Sequence, residues 1–172
     1  MHRVLFALLS ILVMEAHNVH AGDFLLHDVP DAKIVGKTRL SYMVWDVYDV
    51  SLYAPQAHWK PNRPFALKFK YLRNITGKKI ADRSVKEMRA QGYGDEVTLA
   101  SWYTQMKNIF PNVHKGTELT GVYTENAETV FFAQGAEIGR IKDPQFGAAF
   151  FNIWLGDKTT VPKIRQQLLG AR

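Results

Sequence analysis

Asp143-Pro144-Gln145-Phe146-Gly147-Ala148-Ala149-Phe150-Phe151-Asn152-Ile153-Trp154-Leu155-Gly156 is the stretch whose reading decides the fold. Asp143 is a good N-cap and Pro144 suits the first helical turn. Gly156 is the residue that commonly ends a helix in the left-handed conformation. These signals predict an apolar helix between Asp143 and Gly156. It must be read against a second apolar run, Thr38 to Ala54, which holds Val44-Trp45-Asp46-Val47-Tyr48-Asp49-Val50-Ser51-Leu52-Tyr53-Ala54-Pro55. Its β-branched and aromatic residues predict one strand of unusual length.

Outward from these two segments, the remaining elements follow in order. Ala32 to Val35 reads as a short strand, Gly36-Lys37 as a turn, and His58 to Pro64, with two prolines and an Asn, as a loop. Phe65 to Leu72 alternates, with Phe65, Leu67, Phe69 and Tyr71 on one side and Lys68 and Lys70 on the other. That pattern belongs to a sheet with one buried and one wet face. Gly77 to Gln91 reads as a helix, and Asp95 caps a second whose Leu99, Trp102, Tyr103, Met106, Ile109 and Phe110 form a broad apolar face. Strands are expected at Glu118–Thr124, Thr129–Ala133 and Glu137–Ile141, joined by turns short enough for hairpins. A last helix runs from Thr160-Val161-Pro162 to Leu169. Strands, two helices, a meander and two helices make an α+β layout, with an antiparallel sheet and helices packed on one face.

Composition narrows the functional classes. Met1-His2-Arg3 is a short basic start, Val4 to Met14 an apolar core, and Val19-His20-Ala21 offers small residues before a cleavage point at Gly22. Residues 1–21 therefore read as a secretory signal peptide, too short in its apolar core to span a bilayer. Residues 22–172 are expected to form a single exported, periplasmic domain. The chain has no Cys, which excludes disulfides, a thiol nucleophile and thiolate metal sites. Its formal charge of +6 comes with a basic middle: Lys68, Lys70, Arg73, Lys78, Lys79, Arg83, Lys86 and Arg89. A solvated face explains that run better than a nucleic-acid surface, and it leaves room for weak contact with anionic lipid headgroups.

Catalytic and cofactor spacings are missing from the sequence: there is no GxSxG elbow, HExxH, phosphate loop or dinucleotide fingerprint. His27, His58 and His114 are scattered singly, so neither a metal site nor a cofactor is expected. Within the long strand, alternation puts Leu40, Tyr42, Val44, Asp46, Tyr48, Val50 and Leu52 on one face, the more apolar and hence the one under the helices. A buried Asp46 there needs donors such as the phenols of Tyr42 or Tyr48, or an arginine. The alternative is that Asp46 sits at a bulge and faces water.

Taken together, the segments VYDVSLYAP (Val47–Pro55), PFALKFKYL (Pro64–Leu72), LTGVY (Leu119–Tyr123) and IGRIKDPQFGAAFFNIWLG (Ile138–Gly156) resemble the bacterial chalcone-isomerase-like family. The likeness extends from about Ala32 to Gly170. It implies an open-faced β-sandwich with a ligand cleft between the large sheet and the helical layer. For the catalytic members it implies an arginine and several hydroxyl or amide donors around a forming enolate, an oxyanion-hole logic. Laid along this chain, the arginine falls at about Gly36, with Lys37 and Arg39 nearby. The strand threonine falls on Tyr48, the helix tyrosine on Tyr93, the helix asparagine on Ala100 and the late threonine on about Ile138. Only the tyrosine survives, so an isomerase or lyase would have to work from Tyr93 and a nearby arginine. The non-catalytic members imply a binder of fatty acids, the carboxylate held by an arginine and a tyrosine. Arg39, Tyr42, Asp46, Tyr48 and Tyr93 are the candidate ligand-binding residues. Met43, Met88, Met106, Phe131, Phe146, Phe150, Trp102 and Trp154 would line the apolar volume, unless they are ordinary core. The third reading is an interaction module with a dry interior.

Overall fold

The computed structural model describes residues 23–170, so the expected signal peptide lies outside the described residues. Six strands form one antiparallel sheet in sequence order: β1 (Ala32–Tyr42), β2 (Trp45–Pro55), β3 (Phe65–Tyr71), β4 (Glu118–Tyr123), β5 (Thr129–Ala133) and β6 (Ala136–Ile141). A short helix α1 (Asp23–Asp28) precedes them. Helices α2 (Gly77–Ala90) and α3 (Glu96–Ile109) connect β3 to β4, and α4 (Pro144–Leu155) and α5 (Pro162–Leu168) follow β6. This is the expected α+β layout.

The run read as one long strand is instead a hairpin. Tyr42 lies opposite Trp45, and the chain reverses through Met43 and Val44 alone. Such turns favour Asn, Asp or Gly because they need positive φ. Here Met43 takes φ +55, so composition gave no punctuation mark. Gly36, read as a turn, lies within β1 beside the end of α5. A Cβ at Gly36 would stand 2.2 Å from the Gln167 carbonyl oxygen and 2.5 Å from that of Leu168. Its role is close approach of helix to strand, and the Thr38 hydroxyl hydrogen-bonds Gln167 across the same seam.

The helix signals hold with one revision. Asp143 Oδ1 accepts from the Gln145 N–H at 2.9 Å, and Asp95 Oδ1 accepts from the N–H groups of Val97 and Thr98, both at 2.9 Å. Gly156 does end α4, but with an extended backbone at φ −77 rather than left-handed. It is small because a Cβ there would come within 2.7 Å of Asn152 Cβ.

Alternation along the strands sorts the core. On the helix side, Gly36, Leu52, Leu67, Gly121, Phe131 and Gly139 form one cross-strand row, and Thr38, Val50, Phe69, Leu119 and Ala133 the next. Leu99, Trp102, Met88, Met106, Phe146, Phe150 and Leu168 come down on them from the helices. The other face is not wholly wet. Leu25 and Val29, on and just after α1, cover Ala66, Val122, Val130 and Phe132 in a second, smaller cluster. Much of the basic middle is ion-paired: Lys68 with Glu118, Lys78 with Asp82, Arg83 with Glu87 and Arg89 with Glu96.

Replacing Gly36 by Ala is expected to push α5 off β1 and cost about 1–3 kcal/mol, the usual penalty for overpacking. Urea denaturation checks this, with the midpoint falling and the slope unchanged.

Candidate functional site

The sequence-derived candidates do not assemble around one cleft. A register shift at the tip end of the hairpin puts Leu40 opposite Tyr48 but Ser41 opposite Asp46, leaving Val47 as the extra, bulged residue. A bulge reverses which side of the strand the next residues face. Asp46 consequently joins Arg39 and Asp49 on the outer face, while Tyr48 points under the helices. Arg39 Nε donates to Asp49 Oδ1 at 2.6 Å and Arg39 Nη1 to Asp46 Oδ2 at 2.9 Å, and the Ser41 hydroxyl donates to Asp46 Oδ1 at 2.6 Å. The Ser41 hydroxyl, together with the guanidinium, holds the Asp46 carboxyl below its ordinary range. The two carboxylates, Asp49 first, push Arg39 upward. Of the two readings of Asp46, the solvent-facing bulge is the one observed. Arg39 and Tyr48 cannot share a ligand, because the sheet separates them. Tyr42 stands exposed at the hairpin tip and walls neither of the openings along α4.

Tyr48 belongs to a sealed polar cluster. Its hydroxyl accepts a 2.8 Å hydrogen bond from Trp154 Nε1, and its ring meets Phe69 and Tyr71 edge-on at 5.2 and 5.8 Å. Close by on α2, Glu87 is buried but satisfied: Arg83 Nη2 lies 2.6 Å from Oε1, and the Thr160 hydroxyl donates to Oε2 at 2.6 Å. Burial pushes the Tyr48 phenol well above its ordinary value, against the opposing pull of the Trp154 N–H. Burial, with Tyr48 adding to it, does the same to Tyr71.

The proposed apolar lining is solid core. Phe146, Met88 and Met106 are fully enclosed. Phe150 stacks on Phe146 at 5.5 Å and meets Phe131 and Trp154 edge-on at 5.2 and 5.4 Å. Met43 is at the exposed tip and lines nothing. Rings at these spacings fill the space between sheet and helices.

Open volume occurs instead at the rim, along the outer edge of α4. A slot of about 70 Å³ is walled by Trp59, Pro61, Phe65, Tyr123, Phe151 and the α4 residues Gly147, Ala148 and Asn152. Gly147 makes the wall thin, since a Cβ there would meet the Tyr123 ring at 2.8 Å. Further along α4 lies a more polar and open hollow of about 380 Å³, bounded by Gln91, Gly92, Tyr93, Asn152, Gly156, Asp157 and Lys158. Asn152 borders both. Its amide donates to the Tyr93 hydroxyl, so Tyr93 is the one sequence candidate placed at an opening. The indole N–H of Trp59 is buried and has no hydrogen-bond partner among the described residues. Such a donor is costly to leave unmet.

Sequence reasoning passed over Trp59 and Asn152. A tryptophan in a proline-bounded loop and a lone amide inside an apolar helix were the signals available. No group of three or more His, Asp or Glu side chains gathers at metal-binding distance among the described residues.

The same order of sheet and helices is found in known proteins. The profile for the description "Chalcone isomerase-like" matches residues 35–170. The chain belongs to the chalcone isomerase-like family. An uncharacterized protein of Haemophilus influenzae is 28% identical over 137 residues, which cover 79% of this chain and 67% of that one. In three dimensions this chalcone isomerase-like chain is similar to a fatty-acid binding protein of Arabidopsis thaliana (AtFAP1), with a TM-score of 0.64 and 10% identity. The match covers 82% of this chain and 88% of the plant protein. At that identity the likeness is one of fold. Of the residues on which the resemblance laid donors of the catalytic members, Tyr48 lies in the sealed cluster, Ala100 on the exposed side of α3 and Ile138 half-buried on β6. None of these three is a free polar donor facing a cleft.

Stability should fall as pH rises past the ordinary tyrosine value of about 10, because unfolding frees Tyr48 and Tyr71 to ionise while the fold keeps both protonated. The limiting slope is about 1.4 kcal/mol per pH unit for each phenol. Denaturant titrations at several alkaline pH values should show this decline, and Tyr71→Phe should flatten it.

Proposed function

We propose that this chalcone isomerase-like protein is exported and holds a small amphipathic ligand, such as a fatty acid, without transforming it. One observation supports this reading above the others. An aromatic slot and a polar, charged hollow lie side by side along α4 and meet at Asn152. Apolar atoms of a ligand would lie against Phe65, Tyr123 and Phe151, and its polar end would reach the hollow. There the ammonium of Lys158 and the Tyr93–Asn152 pair offer charge and hydrogen bonds. An apolar surface with one charge-assisted anchor is what such recognition needs.

The slot's volume is well under the roughly 300–1,000 Å³ of pockets that enclose drug-sized ligands. A long acyl chain would therefore enter only if Phe151 or Trp59 turned aside, and part of it would lie along the surface of α4. The fatty-acid binding named for the structurally similar plant protein favours this ligand class. An isomerase reading is weaker. Tyr93 is engaged by the Asn152 amide, and Arg39 is tied to two carboxylates on the far side of the sheet. A catalyst of enone cyclisation needs several donors aimed at one oxyanion.

Lipid extraction of the purified protein followed by mass spectrometry should recover a fatty acid or a chemically similar amphiphile. In displacement titrations with a fluorescent fatty acid, Ala148→Trp should fill the slot and Lys158→Glu should repel the carboxylate. Each is expected to weaken binding about tenfold, the equivalent of 1.4 kcal/mol. An empty protein with no measurable affinity overturns the ligand reading. Export is checked separately: N-terminal analysis of the protein from a periplasmic extract should find Gly22 first.

A further inference from the structure

The β1–β2 hairpin tip is the place where the surface departs most from what water selects. Tyr42, Met43, Val44 and Trp45 are consecutive, apolar and exposed, with relative accessibilities of 66, 84, 85 and 58%. Two of them, Met43 and Val44, form the whole turn. Met43 holds φ +55, a left-handed conformation that a side chain with a Cβ adopts at a cost. A Gly-Asn or Gly-Asp pair would relieve the strain at the first position and present polar atoms to solvent. Strain and exposed apolar surface coincide at Met43, and folding alone requires neither.

The surroundings of the tip are polar and ordered. The Arg73 guanidinium lies 4.8 Å from the centre of the Trp45 ring, and Arg73 has no carboxylate partner among the described residues. Just behind the tip, Arg39, Ser41, Asp46 and Asp49 form a hydrogen-bonded collar on the outer face. The whole chain is basic, with a formal charge of +6.

We propose that this tip inserts into the interfacial layer of an anionic lipid bilayer. Met43 and Val44 enter deepest, Tyr42 and Trp45 settle at headgroup depth, and Arg73 faces lipid phosphate. Trp and Tyr favour that interface because one part of each ring system is apolar and another hydrogen-bonds. Arginine near an anionic surface adds electrostatic attraction. The backbone also fits. The Tyr42–Trp45 pair closes the ladder, so only the two turn residues bring backbone groups outside the strand pairing to the bilayer, where unmet hydrogen bonds are costly. A protein partner fits less well. A stable interface buries about 800 Å² per partner, more than four side chains on a narrow, convex turn supply. The inference goes beyond the ligand reading and does not depend on it.

The test is sedimentation of the purified protein with vesicles of phosphatidylethanolamine and phosphatidylglycerol, and in parallel with phosphatidylcholine alone. Wild type should pellet with the anionic vesicles, and its tryptophan emission should be quenched by brominated acyl chains. Trp45→Phe should abolish that quenching, since Trp102 and Trp154 are buried and Trp59 is partly so. The double variant Met43→Gly, Val44→Asn puts Gly at the one turn position with positive φ, so it should keep the wild-type melting curve. It should lose at least about tenfold in vesicle partitioning. Arg73→Gln should weaken binding to anionic vesicles and leave the weaker partitioning to phosphatidylcholine unchanged. The proposal is overturned if wild type stays in the supernatant with both vesicle types, as it would if the tip served a protein partner. It is equally overturned if the double variant pellets like wild type, which would assign binding to the general basic surface. The quenching of wild type decides the matter even if a variant fails to fold.

Discussion

The rest of the structure depends on how α4 is seated against the sheet. Four of its residues, Phe146, Phe150, Phe151 and Trp154, are large aromatics, and all four are buried. They fit because the strands leave space for them. Gly121 lies between Leu67 and Phe131 in the central cross-strand row, and a Cβ at Gly121 would stand 3.3 Å from the Phe151 ring. Burying such side chains supplies a large share of the apolar area that stabilises the fold. A chain without Cys has no disulfide to share that task.

That seating also determines where a ligand could go. Edge-to-face and stacked rings close the space between sheet and helices, so open volume is displaced to the rim of α4. There the helix turns small and polar, at Gly147, Ala148, Asn152 and Gly156, toward the loop carrying Trp59 and the end of α2. Electrostatics repeats the division. Beneath the helices, the buried carboxylate of Glu87 is held by Arg83 and Thr160. Arg39, the cation expected to anchor an anion, is spent on two carboxylates at the outer face. Lys158 borders the hollow instead.

Much of the architecture was legible residue by residue. Asp95 and Asp143 announced their helices because a carboxylate that accepts from free N–H groups is a local interaction. The β3 alternation from Phe65 to Tyr71 announced its two faces because strand geometry has a period of two. What failed in the sequence reading was the punctuation. Met43-Val44 contains no turn residue, and Gly36 looks like one. Each is explained by something distant in sequence: an exposed tip in the first case, the end of α5 in the second. The small cluster under α1 was missed for the same reason, since strands with a lysine-bearing face read as half wet.

The candidate site was less legible than the fold. Of Arg39, Tyr42, Asp46, Tyr48 and Tyr93, alternation assigned Tyr48 to the helix side correctly, but the extra residue at Val47 turned Asp46 to the outer face with Arg39. A bulge depends on which residue of the neighbouring strand is paired, and a single strand's sequence does not contain that pairing. By itself the sequence determined the element types, the capping positions and the family, because those rest on local hydrogen bonding and on periodic burial. The tertiary structure alone decided which side of the sheet each charge occupies, that the aromatic layer is filled, and that Trp59 and Asn152 both wall the slot at the rim of α4. These outcomes depend on strand register and on packing between residues far apart in the chain.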